Sequence, residues 1–299
     1  MTQDELLALI DQAAAEGWTE LDLSGQGLTE LPPEIGQLTQ LESLTLGKVE
    51  KWNYEESQRI PVLITNSLTN FPEELRTLNK LKRLTISGNP LRHLPKVIFE
   101  LESLISIDAT AIGLSEIPEC MAKLINLEDL TLFDNQISII PDSIGQLTKL
   151  EKLRLYGNHI TTIPDFVGQL SRLRTLGLDR NRITIIPRCI GQLQNLTELW
   201  LSNNQIIEIP DCVGQLTDLE VLSLFGNRIA MISECIAKLS NLKELRLHRN
   251  QLKEVPNFVR HLKNLSHLSL NHNQIREIPD YIGEVHGLTH FTIQRFSAS

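Results

Sequence analysis

The stretch Leu150-Glu-Lys-Leu153-Arg-Leu155-Tyr-Gly-Asn158-His-Ile160-Thr-Thr-Ile163-Pro164 carries the strand and the turn of one structural unit. Leu153-Arg154-Leu155 alternates apolar and polar, the two-residue period of a half-buried strand. Leu153 and Leu155 are expected to face a core, and Arg154 to face outward. Asn158 falls where the chain leaves the strand. Its amide both donates and accepts, so it can satisfy the backbone of neighbouring turns. An unsatisfied polar group buried there would cost about 1–3 kcal/mol. Ile160, Ile163, Val167 and Leu170 supply the opposite wall, and the run from Pro164 to Leu170 suits a short helical turn.

The unit recurs. Leu127, Leu150, Leu173, Leu196, Leu219, Leu242 and Leu265 fall 23 residues apart; Leu81 and Leu104 extend the series backward, Leu288 forward, and Trp18 and Leu41 open two earlier units. That makes about twelve repeats, the last one partial. The turn asparagine returns as Asn66, Asn89, Asn135, Asn158, Asn181, Asn204, Asn227, Asn250 and Asn273. Gln26 and Phe296 take its place in the terminal repeats, and Ile112 takes it in the fourth, where the ladder of amides should break and the turn change. A 299-residue globule would ordinarily divide into domains. Stacked repeats escape that limit because each touches only its neighbours. The predicted fold is an α/β solenoid. Parallel strands about 4.8 Å apart form its concave face, and short helical or 3-10 turns its convex face.

Residues 1–17 read as an N-terminal capping helix and 18–299 as the repeat domain. Thr2-x-x-Glu5 is a capping-box pattern. Leu6, Ile10 and Ala13 or Ala14 make an apolar stripe, and Gly17 is a natural stop. The step from Leu41 to Leu81 is 17 residues too long, which places an insertion at about 47–65. Two readings of it stand side by side. Either Trp52, Tyr54 and Val62 fold down over a neighbouring turn, or Trp52 and Tyr54 form a second contact site at the rim. At the other end Phe291, Ile293 and Phe296 have no following repeat. Either Phe296-Ser297-Ala298-Ser299 folds back as a cap, or a second copy of the chain or a further domain covers them.

Composition narrows the function. The net charge of -9 speaks against nucleic acid as a partner, and no apolar run is long enough for a membrane span. The N-terminus lacks a basic segment before an apolar one, and the cysteines form no cluster at either end, so a cytoplasmic location is expected. Cys120, Cys189, Cys212 and Cys235 hold equivalent convex positions with no base nearby, which suits packing rather than catalysis. No Ser-His-Asp order or carboxylate pair stands out, and neither enzyme activity nor a cofactor is expected. Glu244, His267 and His290 share one repeat position; such a column either holds zinc or nickel or is simply polar surface.

The outward strand positions read Thr131, Arg154, Gly177, Trp200, Ser223 and Arg246; those just past the strand read Phe133, Tyr156, Asp179, Ser202, Phe225 and His248. With Arg180 they collect Tyr, Trp, Phe and Arg on one face, the residues that dominate interface hot spots. Gly177, between Arg154 and Trp200, should leave a hollow for a partner side chain. The expected protein-binding set is Phe133, Arg154, Tyr156, Asp179, Arg180, Trp200, Phe225, Arg246 and His248.

The pattern Leu-x-x-Leu-x-Leu-x-x-Asn-x-Ile-x-x-Ile-Pro-x-x-Ile-Gly-x-Leu resembles the intracellular 23-residue class of leucine-rich repeats, also found in Ras-associated scaffold proteins. Glu5-Leu-Leu-Ala-Leu, Gly17-Trp-Thr-Glu-Leu-Asp-Leu and Gly47-Lys48 resemble the repeat region of bacterial Roco proteins. There such repeats precede a Ras-like GTPase domain and a COR dimerisation domain. The likeness implies a regulatory arm for a GTPase. Gly47-Lys48 lacks the upstream Gly and the following Ser or Thr of a phosphate-binding loop, so no GTP binding is expected of this chain. The expected function is a protein-protein interaction scaffold acting through its concave face. The alternative is a Roco-type arm without its GTPase.

Overall fold

Asn204 shows how a repeat is closed. Its Nδ2 donates to the carbonyl of Leu201 in its own repeat at 3.1 Å and to that of Leu178 in the preceding one at 2.9 Å. Its Oδ1 accepts from the Ile183 N–H at 2.9 Å. One buried side chain thus satisfies three backbone groups and staples two turns together. Asn181, Asn227 and Asn250 repeat the arrangement.

The structure, a computed structural model, describes residues 1–55, 58–285 and 287–293. It comprises two compact units, Met1–Leu150 and Glu151–Ser299. The first opens with helix α1 (Gln3–Glu16). The Thr2 hydroxyl accepts from the Glu5 N–H, the Glu5 carboxylate accepts from the Thr2 N–H, and Gly17 closes the helix in the left-handed conformation. Leu6, Ile10 and Ala13 are buried. Strands β1 (Glu20–Asp22), β2 (Ser43–Glu55), β4 (Arg83–Ile86), β5 (Ser106–Asp108) and β6 (Asp129–Thr131) pair in parallel, in that order. Within the insertion β2 runs on past the sheet and pairs with β3 (Gln58–Ile64), antiparallel to it, as the two arms of a hairpin.

The second unit is a parallel sheet of β7 (Lys152–Arg154), β8 (Thr175–Gly177), β9 (Glu198–Trp200), β10 (Val221–Ser223), β11 (Glu244–Arg246), β12 (His267–Ser269) and β13 (His290–Thr292). Leu176, Leu199, Leu222, Leu245 and Leu268 lie in register and are buried. Opposite them stand five-residue 3-10 turns such as Asp165–Gln169, Arg188–Gln192 and Asp211–Gln215. Each follows an extended proline, whose fixed φ suits the approach and whose missing N–H is no loss there. This is the leucine-rich-repeat solenoid fold.

The residue before every turn asparagine except Asn66 adopts a left-handed backbone: Gly88 and Asp134 in the first unit; Gly157, Arg180, Asn203, Gly226, Arg249 and His272 in the second. For a non-glycine this costs roughly 1 kcal/mol. It is held because the N–H of that residue continues the inter-repeat bonding, as Arg180 to Ser202 and Asn203 to Phe225 do. At Ile112 the ladder does break. The Leu91 N–H, with no amide opposite, turns to the carbonyl of Asn89, and Asn135 Oδ1 accepts from both Ile112 and Leu114. Ile112 itself is 1% exposed, so burial replaces the lost bonds. Phe296 lies outside the described residues.

Asn204→Ala strips the buried Ile183 N–H of its acceptor and leaves the Leu178 and Leu201 carbonyls one amide donor each, from Asn181 and Asn227, and is expected to cost about 1–3 kcal/mol. Leu201→Ala, a core truncation, should cost about 2–5 kcal/mol. Urea unfolding followed by circular dichroism measures both.

Candidate functional site

The sheet face of the second unit is built by residues two apart on one strand and level with one another on adjacent strands. Glu198 and Trp200 share a face because a strand alternates its side chains, and Glu198 Oε2 accepts from the indole Nε1 at 3.0 Å. Glu244 and Arg246 repeat the relation two strands on, at 2.7 Å. Between them, in register with both Trp200 and Arg246, stands Ser223. It is fully buried, and its hydroxyl meets that of Ser202 at 2.7 Å. Because this intervening residue is small, the Arg246 guanidinium reaches over it to lie 5.1 Å from the Trp200 ring centroid. The cation–π contact fixes two otherwise mobile side chains.

Beside this pair, Phe225 and His248 stack with centroids 4.3 Å apart and planes 10° from parallel. His248 Nδ1 bonds the Ser269 hydroxyl at 2.9 Å. Burial first, then the charges of Arg249, Arg246 and His272, push the imidazole down to about 4. His248 is therefore neutral at neutral pH and serves as a flat stacking surface. The result is a preorganised platform of Trp200, Arg246, Phe225 and His248, four residues that the sequence assigns to one face. The sequence reading missed the partners that orient it, Glu198, Glu244 and Ser269. The period-two spacing of Glu198-Leu-Trp200 and Glu244-Leu-Arg246 would have found the first two.

Other expected members are placed differently. Tyr156 is only 6% exposed; its hydroxyl accepts from Arg180 Nη1 at 3.1 Å, and the guanidinium lies 5.3 Å from its ring. It is a packing residue, with Arg180 over it. The Asp179 carboxylate accepts from the Ser202 N–H and so is engaged in closing the turn. Thr131 and Ser223, expected to point outward, and Ser202, just past the strand, are buried. Gly177 is buried as well. A Cβ there would meet Arg154 Cα, Cβ and Cγ at 3.7–3.9 Å, so Arg154 covers the position where a hollow was expected.

In the first unit Phe133 is half-buried beneath the hairpin. The Trp52 ring meets it edge-on, with centroids 5.5 Å apart and planes at 79°. Trp52 thus packs on Phe133, just past β6, and not over a neighbouring turn. Tyr54 is on β2, but its side chain lies outside the described residues. Gly47 and Lys48 are strand residues: a Cβ on Gly47 would collide with the Ser87 carbonyl oxygen, and Lys48 pairs with Asp22.

The column of Glu244, His267 and His290 does not converge on a point. Glu244 is taken by Arg246, and the two imidazoles stack face to face at 4.2 Å, with Nδ1 atoms bonded to Ser266 and Thr289. Among the described residues no group of three or more His, Cys, Asp or Glu side chains is placed to hold a metal. On the 3-10 side, the Cys189 and Cys212 thiols approach the carbonyls of Pro164 and Pro187. Burial pushes both thiols up, away from reactivity. Between sheet edge and 3-10 turns, Ile185, Ile207 and Met231 are exposed, the last at 82%.

Family models for leucine-rich repeats match residues 126–147, 138–247 and 240–283. The solved structure of a leucine-rich-repeat protein from Leptospira interrogans is 31% identical with a TM-score of 0.72, covering 95% of this chain and 86% of its own. The chain is a leucine-rich-repeat protein. An internalin C2 from Listeria monocytogenes is 29% identical with a TM-score of 0.59, over 65% of this chain and 83% of the internalin. A plant peptide hormone receptor, RGFR1 in complex with RGF2, is 27% identical with a TM-score of 0.65; the match spans 89% of this chain and 46% of the receptor. No curated protein gives a match. No described helix of this leucine-rich-repeat protein is long and apolar enough to cross a membrane.

Two substitutions separate platform from packing. Tyr156→Ala is expected to cost about 3 kcal/mol, and Trp200→Ala no more than about 1 kcal/mol, in thermal unfolding at neutral pH. His248 titrates near 6.5 when unfolded and about 4 when folded. The unfolded state therefore binds more protons between those values, and stability falls as pH drops through that window. His248→Phe, which keeps the stack, should remove that part of the pH dependence.

Proposed function

We propose that this chain is a protein-binding scaffold whose contact site is the sheet face of the second unit, centred on Trp200, Phe225, Arg246 and His248. The observation that carries this reading is the preorganised platform itself. Two planar pairs are already fixed at 5.1 and 4.3 Å, so little side-chain entropy remains to be lost on binding. Trp and Arg at the centre of such a surface are the side chains from which binding energy is usually drawn. Leucine-rich-repeat proteins bind protein partners, and a relative of known structure, the plant receptor, holds a peptide hormone. The second reading, a regulatory arm of a Roco-type GTPase, is supported by the short N-terminal resemblances alone.

The test is capture from host lysate by the full chain and by Trp200→Ala/Phe225→Ala, after both are shown to be folded. A protein retained by the wild type and lost by the variant is the expected result. Equal retention would move the contact to the hairpin or to the exposed Ile185, Ile207 and Met231, and would overturn the choice of face. A GTPase bearing the same repeats upstream, captured through another surface, would favour the regulatory arm.

A further inference from the structure

The turns that end the strands of the second unit carry a charge opposite to that of the chain as a whole. Six turn asparagines, from Asn158 to Asn273, are flanked on either side by one residue each. Those flanking residues include Arg180, Arg182, Arg228, Arg249, His159 and His272, and no Asp or Glu. The chain nevertheless has a net charge of -9. Charge is therefore segregated, and a cationic edge lies alongside the platform of Trp200, Arg246 and Phe225.

Packing does not account for Arg182 and Arg228. Arg182, Arg228, Arg249 and His272 are exposed. Among the described residues Arg182 and Arg228 make no ion pair and no side-chain hydrogen bond. Lys243 and Arg246, by contrast, pair with Glu220 and Glu244. The Asp179 carboxylate, next to Arg180 in sequence, accepts from the Ser202 N–H. Burial is the main cause of the depressed pKa of His248, and Arg249, Arg246 and His272 beside it add to the effect. Nor does backbone conformation call for arginine. Arg180 and Arg249 hold left-handed positions that Gly157 and Gly226 fill in other repeats.

We infer that this edge docks an acidic polypeptide segment, with Arg182 and Arg228 as its outermost anchors. The inference rests on the protein-binding reading above and adds the chemistry of the partner. Arg182 and Arg228 stand two repeats apart, about 10 Å at the spacing of adjacent strands, which is the span of three residues of extended chain. Carboxylates a few residues apart on such a segment reach both guanidinium groups, each able to bind a carboxylate in two-pronged fashion. A nucleic acid fits less well. The positive strip is short, the rest of the chain repels a long polyanion, and Trp200 and Phe225 each have a ring face already covered, by Arg246 and His248.

The experiment is fluorescence anisotropy of the full chain with fluorescein-labelled decaglutamate and, in parallel, labelled ten-residue oligothymidylate at low ionic strength. Decaglutamate should bind, weaken with added salt, and lose at least tenfold in affinity to Arg182→Glu/Arg228→Glu, while Trp200→Ala changes it less. Arg182→Gln/Arg228→Gln should give an intermediate loss, which guards against a folding defect in the reversed variant. Absence of binding, or equal binding by the reversed variant, overturns the inference. Binding of oligothymidylate as tight as that of decaglutamate also overturns it, in favour of nucleic acid. The two readings fail separately, because the aromatic face is read by lysate capture with Trp200→Ala/Phe225→Ala and the edge by decaglutamate with the arginine variants.

Discussion

The buried asparagine amide is the interaction on which the rest depends. A parallel strand of three residues followed at once by a tight turn leaves backbone groups facing the core with no strand or helix to take them. One side chain per repeat answers that need, bonding its own turn and the one before it. The leucine rows can therefore be purely aliphatic, because no polar atom is left for them to accommodate. Ile112 shows the rule by its exception: where the amide is missing, Asn135 takes a second donor and one N–H bonds locally.

Fixing the turns fixes the strand register, and the register decides which side chains meet on the open face. Equivalent positions stack without offset from one repeat to the next. What a residue touches is then governed by the size of its neighbours one and two strands away. Ser223 is small, so Trp200 and Arg246 close over it. Gly177 is smaller still, and Arg154 leans across it. The same arithmetic puts flat groups beside flat groups, as with Phe225 and His248 or the stacked pair His267 and His290.

This explains what the amino-acid order reveals and what it conceals. The period of 23, the amide column, the capping box and the length of the insertion are all local in sequence, and all are legible. Trp200, Phe225, Arg246 and His248 are recognisable too, because strand alternation alone assigns their face. Tyr156 and Phe133 are not. Both occupy the repeat position of Phe225, but one packs with a guanidinium from the next repeat and the other lies under a tryptophan from the insertion. Those partners lie tens of residues away in sequence, and no periodicity points to them. The left-handed residue before all the amides but that of Asn66 is half-legible: Gly88, Gly157 and Gly226 announce it, while Arg180, Asn203 and Arg249 disguise it.

The contact between Trp52 and Phe133 has one more implication. In a stack of repeats almost every bond joins immediate neighbours, and such a molecule melts like a zipper, opening from an end with little penalty. The tryptophan is carried by the hairpin that leaves the second repeat, yet it rests on the repeat of β6, skipping β4 and β5. It acts as a crosstie across that part of the first unit. The repeats it spans are bound to open together or not at all, so the first unit gains a cooperative block. Closing that long loop also makes it the slower part of the molecule to assemble.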